Sequence, residues 1–217
     1  MKTVYFVRHG QTSFNAERRF NTPDASLSEE GRQQAAEIAD RTAKLPIEAI
    51  VTSTLPRAKQ TAEIIAKTLD KKLYESDLFV EGGYTKKFYG APVDSPESAV
   101  VSEEYFGRFC EPGYRPEDGE GFDDFKKRAL ASFSYIEQLP EREILVVTHA
   151  FFLWFIGAAA IFGEELTAKE CLGVLKGLDL MENTAITIVT FDAPARKAAG
   201  EPTAKWQLNV WNDHAHL

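Results

Sequence analysis

Five short stretches of the chain carry the residue types that strands favour. Residues 4–7, 50–52 and 143–148 are dominated by β-branched, aromatic and other apolar side chains. Runs of this kind predict strands that are buried on both faces. Residues 185–191 predict a further strand, and residues 206–211, where apolar and polar positions alternate, predict a last one. The predicted strands are therefore spread over the whole length of the chain.

Between the strands, apolar residues recur at the spacing that predicts a helix. Ser28 precedes two glutamates, which is typical of a helix start, and Pro46 is expected to end this helix. A second helix has Pro56 in its first turn, and two more are predicted over 122–139 and 150–162. Strands that alternate with helices indicate an α/β fold. We expect a three-layer sandwich, in which helices flank a mostly parallel central sheet.

Residues 77–122 have a different composition. Glycine and proline are frequent there, which argues against long regular elements. Aromatic residues are frequent too, which argues against disorder. We therefore expect a single domain over residues 1–217, with 77–122 as an irregular cap or insertion. Residues 192–203 are expected to form a loop.

Charge and hydropathy exclude several classes of partner. The chain of 217 residues has a formal net charge of −8, and an acidic surface does not attract nucleic acid or an anionic membrane. The first apolar run is too short for a signal peptide. The longest one, residues 150–162, is too short to cross a bilayer, which takes about 20 residues. Cys110 and Cys171 are expected to be free thiols rather than a disulfide, and we expect a cytoplasmic protein.

Candidate catalytic residues follow three of the predicted strands. The first strand ends in Arg8-His9, the second leads within one turn to Arg57, and the strand at 143–148 is followed by His149. In an open α/β sheet, ligands bind beyond the carboxyl ends of the strands. We therefore expect two arginines and two histidines to meet at one edge of the sheet.

This set of side chains suits a phosphoryl group. A guanidinium binds two phosphate oxygens at once and keeps its charge, and Arg57 and His149 lie near helix starts, which favour anions. A neutral imidazole can attack phosphorus and form a covalent intermediate. One histidine must be neutral to attack, whereas the other can be cationic and hold negative charge. Neighbouring arginines disfavour protonation of the attacking ring.

Four segments resemble the histidine phosphatase superfamily, in the branch that includes the cofactor-dependent phosphoglycerate mutases. Residues 7–15, VRHGQTSFN, resemble its signature, and residues 27–31, LSEEG, resemble its L-[ST]-x-x-G step. Residues 53–62 resemble its S-x-L-x-R-A-x-x-T-A segment, and residues 146–149 resemble the strand that carries its second histidine. The segments occur in the family's order, so the resemblance spans nearly the whole chain, with 77–122 the weakest part.

The resemblance implies a role for each matching residue. His9 would attack the phosphorus and become phosphohistidine, while Arg8, Arg57 and His149 would bind the equatorial oxygens and stabilise charge in the transition state. Asn15 matches a position that contacts the transferred group, although an asparagine here could simply cap a loop.

The family also uses a carboxylic acid to protonate the leaving oxygen and then to activate water. Glu81 is the candidate, because residues 78–81 resemble the family's L-x-E segment. Glu75, Asp77 and Glu103 are nearby alternatives. The cap at 77–122 would lie over this active site. Its rings either pack the cap itself or bind an apolar or ring-bearing leaving group.

The chain departs from the family pattern at a few positions. Gln11 stands where many members have glutamate, and Ala150 replaces a glycine that often follows the second histidine. The backbone N–H of Ala150 could still contact phosphate. Residues 82–90 are longer and more aromatic than the compact family form, and residues 119–121, GEG, stand near the family's G-E-S. These departures leave the substrate open.

Three functions from different classes fit these residues. The first is a phosphatase that hydrolyses a small phosphomonoester metabolite through phosphohistidine on His9. The second is a phosphoglycerate mutase, which needs a bisphosphorylated primer, and the third is a non-catalytic protein that binds a phosphorylated ligand. A binding protein has no need of a nucleophile, and the dimeric mutases of this family are typically longer than 217 residues. The phosphatase is therefore the leading hypothesis.

No cofactor is expected from the sequence. The implied mechanism needs no metal, flavin or nucleotide, and no motif for any of them is present. His214 and His216 could suggest a metal site, but no other ligand clusters with them, so a structural or exposed position is the expectation. The chain could be a monomer or a homodimer.

Overall fold

The computed structural model describes residues 1–82, 85–192 and 206–216. The strands are β1 (Lys2–Arg8), β2 (Ala49–Thr52), β3 (Leu73–Glu75), β4 (Glu143–Thr148), β5 (Ile186–Phe191) and β6 (Trp206–Asp213). The helices are α1 (Ser13–Ala16), α2 (Glu29–Thr42), α3 (Pro56–Leu69), α4 (Pro96–Arg108), α5 (Phe122–Gln138), α6 (Ala150–Phe162) and α7 (Ala168–Gly177). Short 3₁₀ turns lie at Asp77–Phe79, Lys86–Phe88 and Gly163–Glu165.

The six strands form one sheet in the order β3-β2-β4-β1-β5-β6. The pairs β3–β2, β2–β4 and β4–β1 are parallel, and β5 and β6 add an antiparallel edge. The prediction of a mostly parallel sheet is therefore confirmed, as are the five predicted strands. The three-residue strand β3 was not predicted, because so short a run gives no periodic signal. Most of the loop predicted at 192–203 lies outside the described residues.

Helices cover both faces of the sheet. Successive side chains of a strand point to opposite faces, so Val4 and Phe6 of β1 join the core that includes α5 and α6. Tyr5 and Val7 join the core that includes α2 and α3. β2 and most of β4 are buried on both faces as well, which explains their continuous apolar sequences. The three-layer sandwich is confirmed.

The predicted helices form where their start and stop signals stand. The Ser28 side chain caps α2 by accepting a hydrogen bond from the backbone N–H of Gly31. The helix ends at Thr42, one turn before Pro46. Gly163 follows α6 with a positive φ of 57°, as its lack of a side chain allows. In the described ranges, no helix combines the length and the apolar character that a membrane span requires.

The segment 77–122 is more regular than its composition suggested. Helix α4 runs for 13 residues inside it, so the expectation of no long regular element is wrong at this point. Ser95 caps this helix and Pro96 occupies its first turn, where a proline is tolerated. The other prolines and the glycine-rich turns lie mainly on either side of α4. Tyr105 and Phe109 from its last turns are buried in the aromatic core.

Two glycines bring the loop after β1 close to α2. A Cβ atom on Gly31 would overlap the carbonyl oxygen of Gln11, and one on Gly10 would overlap the carbonyl oxygen of Gly31. Both positions therefore need glycine for close backbone approach. Because Gly10 adjoins His9, this contact fixes the loop that carries His9 against α2.

Gly31→Ala is expected to destabilise the protein, because the added methyl group overlaps backbone that cannot move alone. The expected loss is about 1–3 kcal/mol in the free energy of unfolding, or roughly 2–4 °C in Tm for each kcal/mol. Gly173→Ala is the matched control, since Gly173 also lies in a helix and its Cβ would meet nothing within 4 Å. The control should raise the Tm slightly, because alanine favours helix. Thermal unfolding of both variants tests this prediction. An equal shift in Tm for the two variants would contradict the close-approach argument.

Candidate active site

The sheet topology brings the predicted residues to one edge. β1, β2 and β4 are mutually parallel neighbours, so their carboxyl ends meet at the same edge of the sheet. His9 follows β1, Arg57 lies in the first turn of α3 after β2, and His149 follows β4. The ring centroids of His9 and His149 are 5.1 Å apart.

The contacts of His9 select one tautomer of its ring. Nδ1 lies 2.8 Å from the carbonyl oxygen of Gly10, which can only accept, so we assign the ring proton to Nδ1. Nε2 then carries the lone pair and accepts a hydrogen bond of 3.2 Å from Nε of Arg57. Burial first, and then the charges of Arg57 and Arg8, lower the pKa of His9 well below its usual value. The ring is therefore neutral, as a nucleophile must be.

The backbone around His9 is held from three directions. Its N–H donates to the carbonyl of Thr148 over 3.0 Å, and its carbonyl oxygen accepts from Nδ2 of Asn183 over 2.8 Å. The next N–H, from Gly10, donates to Oγ1 of Thr61 over 3.1 Å. These bonds come from β4, α3 and the loop before β5, so the position of His9 depends on the assembled sheet.

His149 is neutral as well and keeps one N–H available. Its Nε2 lies 2.8 Å from Oγ of Ser53, which itself accepts from the N–H of Leu55 over 3.2 Å. Among the described residues, Nε2 of His149 is the acceptor within reach of the buried Ser53 hydroxyl, so we assign the hydroxyl as the donor and the ring proton to Nδ1 of His149. Within the described part of the chain, Nδ1 has no hydrogen-bond partner. Burial, followed by the charge of Arg57, lowers the pKa of this histidine well below its usual value. The alternative in which the second histidine is cationic does not fit these shifts.

Glu81 lies beside both the arginine and the second histidine. Its Oε1 accepts a hydrogen bond of 2.8 Å from the backbone N–H of Phe151, at the start of α6. Its Oε2 lies 3.5 Å from Nδ1 of His149 and 3.9 Å from a terminal nitrogen of Arg57. Burial raises the pKa of this carboxyl, and it outweighs the opposing effect of Arg57.

The loop that carries Glu81 is fixed by Arg128 of α5. One terminal nitrogen of Arg128 donates to the carbonyls of Val80 and Leu78, over 2.7 and 3.2 Å. The rest of the guanidinium forms a two-point ion pair with Glu120, with both N–O distances 2.9 Å. The rings of Phe152 and Phe125 also face the guanidinium, with centroids 4.1 and 5.1 Å from its carbon.

The structure separates Glu81 from its three alternatives. Glu75 forms an ion pair of 2.9 Å with Lys59 at the surface. Asp77 lines the mouth of the neighbouring cavity and accepts from Thr54. Glu103 is exposed on α4. Of these four carboxylates, only Glu81 contacts a histidine of the site.

Arg8, Asn15 and Ala150 line the same cavity as Arg57 and Glu81. Arg8 donates to the carbonyl of Met181. The Oδ1 atom of Asn15 accepts from the N–H of Thr12 over 3.3 Å, so this side chain does cap α1 while it borders the cavity. Ala150 is the first residue of α6, where backbone N–H groups have no partner within the helix.

A cavity of about 1060 Å³ opens above these residues. Its floor includes Arg57 and Glu81, which contact the two buried imidazoles. His9, Glu81 and His149 offer three ligand atoms within 4.8 Å of one another, enough to hold a metal ion. Arg57, at 3.2 Å from His9, adds a fixed positive charge that disfavours a second cation there.

The two C-terminal histidines have different surroundings. His216 lies 2.9 Å from Arg41 and 3.1 Å from Oγ1 of Thr184. His214 is exposed, and its ring contacts the carbonyl of Asn212. Neither belongs to the cluster of potential metal ligands.

The sequence prediction missed three residues that support the site. Ser53 directly follows β2 and is the first residue of the motif at 53–62. Its place just after a strand was the signal that could have identified it as a site residue. Asn183 and Arg128 lie far along the chain from the histidines and stand in no recognisable motif, so only the fold reveals their contacts.

Comparison with known proteins supports the resemblance. Residues 4–199 match the family model described as "Histidine phosphatase superfamily (branch 1)". The whole chain is 31% identical to "Probable phosphoglycerate mutase GpmB" of Salmonella arizonae and covers 95% of that protein. Bacillus stearothermophilus YhfR has a similar solved structure, with 27% identity, a TM-score of 0.76 and coverage of 100% of this chain and 99% of the other.

A more distant structure shares the fold. A mycobacterial glucosyl-3-phosphoglycerate phosphatase in complex with VO3 gives a TM-score of 0.77 at 23% identity, over 98% of this chain and 100% of the other. The matched residues 4–199 include β1, α2, α3 and His149, where the four motifs lie. The chain therefore belongs to the histidine phosphatase superfamily, branch 1.

Proposed function

We propose that this protein is a phosphatase that hydrolyses a small phosphomonoester metabolite through a phosphohistidine intermediate on His9. The observation that carries the proposal is the state of His9: a buried, neutral imidazole whose Nε2 lone pair lies 3.2 Å from the guanidinium of Arg57. A guanidinium in that position can bind the phosphoryl oxygens while the lone pair attacks phosphorus.

In the first step, Nε2 of His9 attacks phosphorus and the bond to the leaving oxygen breaks. Glu81 donates its proton to that oxygen, which leaves as an alcohol. In the second step, water attacks the phosphohistidine and gives a proton to the Glu81 carboxylate. The N–P bond breaks, and inorganic phosphate and neutral His9 are regenerated.

The remaining site residues hold the phosphoryl group. Arg8 and Arg57 bind equatorial oxygens and stabilise the negative charge that they carry in the transition state. His149 donates from the Nδ1–H that no described residue uses. Asn15 and the backbone N–H of Ala150 complete the set, because both border the same cavity.

We also propose that the protein is one domain over residues 1–217 in which residues 77–122 form a cap over the active site. Support comes from Phe88, Tyr89 and Phe106, which lie in this segment and line the cavity. A cytoplasmic location is proposed from the free thiols of Cys110, which is exposed, and Cys171.

His9→Ala is expected to abolish hydrolysis of p-nitrophenyl phosphate, with a loss of at least about 10³-fold in kcat/KM, because the nucleophile is gone. The assay contains excess chelator, and the wild-type rate should not change with it. His214→Ala is the matched control, since His214 is exposed and contacts only the backbone of Asn212 in the described structure. Turnover that survives in His9→Ala, or that disappears with chelator, would overturn the proposal.

The pH profile should show an alkaline limb that belongs to Glu81. Burial raises the pKa of Glu81, and a general acid works only while protonated, so kcat/KM should fall as pH rises through this raised pKa. His9 must be deprotonated, and its lowered pKa moves the acid limb to lower pH. Both shifts widen the pH range in which His9 is neutral and Glu81 is protonated.

Glu81→Gln should remove the alkaline limb and reduce kcat/KM by about 10²–10⁴-fold on an alkyl phosphate, whose leaving group needs a proton. The loss should be smaller on p-nitrophenyl phosphate, whose leaving group is a weaker base. Glu75→Gln, at the surface ion pair with Lys59, should keep the wild-type profile. An unchanged alkaline limb in Glu81→Gln would assign the acid to another group.

A phosphoglycerate mutase is the second candidate, because the relative from Salmonella arizonae is named as one. A mutase primer carries two phosphoryl groups and needs a second anion site. Three cations line the outer cavity. Arg19 and Arg128 are already engaged by the carboxylates of Glu17 and Glu120, at 3.3 and 2.9 Å, and Lys176 is exposed to water. This arrangement favours the phosphatase.

One assay distinguishes phosphatase activity from mutase activity. With 3-phosphoglycerate and 2,3-bisphosphoglycerate, we expect release of inorganic phosphate to exceed formation of 2-phosphoglycerate at every primer concentration. Phosphorus NMR follows both products in the same sample. If formation of 2-phosphoglycerate depends on the primer and is faster than phosphate release, the protein is a mutase instead.

A further inference from the structure

The cavity above the site has a polar floor and an apolar wall. The floor is formed by Arg8, Asn15, Arg57 and Glu81. The wall consists of aromatic and aliphatic side chains from the cap, α6, α7 and the loop that follows α7. Its main members are Phe88, Tyr89, Val93, Phe106, Trp154, Leu172, Leu175 and Leu180. A volume of about 1060 Å³ is at the upper end of the range for small-molecule sites and far exceeds what a phosphoryl group fills.

Exposed apolar residues concentrate at the mouth of this cavity. Six large hydrophobic residues are exposed in the described ranges, namely Met1, Tyr89, Val93, Val100, Ile161 and Leu180. Three of them, Tyr89, Val93 and Leu180, line the cavity and come from two separate segments of the chain. Apolar side chains that converge on one opening beside a catalytic site indicate a surface that an apolar ligand covers.

The outer cavity is poorly suited to an acidic leaving group. Arg128 is held by Glu120 and by the backbone of the Glu81 loop. Arg19 donates to the carbonyl of Gly90 over 2.6 Å and lies 3.3 Å from Glu17. The remaining cation of the outer cavity is Lys176, which is exposed to water. A carboxylate deeper in the cavity would have to displace the contacts of Arg19 and Arg128 or lie against apolar side chains, which costs free energy.

We propose that the site selects phosphomonoesters whose leaving group is an apolar alcohol, with the alkyl chain or ring lying against the wall formed by the cap, α6 and α7. This inference rests on the proposed phosphatase function. The phosphoryl group binds on the floor and the P–O bond breaks as described above. Glu81 protonates the oxygen that joins the two parts of the substrate.

The test is a series of unbranched alkyl phosphates from ethyl to hexyl phosphate. The leaving alcohols have nearly the same basicity, so the chemical step is constant and only the apolar length changes. We expect kcat/KM to rise about two- to fourfold for each added methylene group, because each one leaves water for the cavity wall. Hexyl phosphate should also exceed 3-phosphoglycerate.

Leu180→Asp tests the wall itself. Leu180 is 53% exposed at the mouth, so its replacement costs little packing. The expected effect is a fall of about threefold or more in the ratio of kcat/KM for hexyl over ethyl phosphate. Ile161→Asp is the matched control, because Ile161 is 46% exposed and lies outside the cavity. This control should keep the wild-type ratio.

The outcomes separate the inference from the function on which it rests. If no ester of the series is hydrolysed in a manner dependent on His9, the phosphatase function fails and the inference fails with it. If all esters are hydrolysed but kcat/KM is flat with chain length, or 3-phosphoglycerate is the best substrate, the function stands and the apolar selectivity is wrong. If the ratio of kcat/KM for hexyl over ethyl phosphate is the same in Leu180→Asp and in the wild type, the wall does not bind the alkyl chain and the inference is also wrong.

Discussion

A buried guanidinium placed against a buried imidazole governs the chemistry of this site. Arg57 is 2% exposed and lies 3.2 Å from Nε2 of His9. Burial and, after it, this charge lower the pKa of His9, so the ring keeps its lone pair. The same charge lowers the pKa of His149 and opposes the rise in the pKa of Glu81. One cation therefore influences the pKa values of His9, His149 and Glu81.

Burial acts on Glu81 and on His9 in opposite directions. Desolvation disfavours charge, so it raises the pKa of Glu81 and lowers the pKa of His9. The proposed reaction needs this combination, a protonated carboxyl beside a deprotonated imidazole. A single buried environment thus produces both states, and it lies where the carboxyl ends of β1 and β4 meet.

The supporting contacts come from distant parts of the chain. Arg128 of α5 holds the carbonyl of Val80, the residue before Glu81, and Oγ1 of Thr148 donates to the carbonyl of Phe79 over 2.7 Å. Asn183, in the loop before β5, holds the carbonyl of His9. Glu81 and His9 are therefore positioned by backbone contacts, so their relative placement depends on the packing of the whole sheet.

The sequence by itself determined the α/β sandwich and the strand ends that carry Arg8, His9 and His149. It could do so because buried parallel strands leave continuous apolar runs, and because side chains that follow such strands must meet at one edge. It also located Glu81, but only by resemblance, with Glu75, Asp77 and Glu103 as alternatives. It missed α4, since the density of glycine and proline around that helix obscured its periodicity.

Only the tertiary structure revealed the surroundings of the four carboxylates, the contacts of the two histidine rings and the residues that line the cavity. The pKa of Glu81 depends on burial and on its distance from Arg57, and neither quantity is local in sequence. The neutral state of His149 depends on the same two causes. The apolar wall joins the cap, α6 and α7, which no sequence period links. Local patterns determine which elements form, whereas desolvation and charge at the site depend on which elements then lie together.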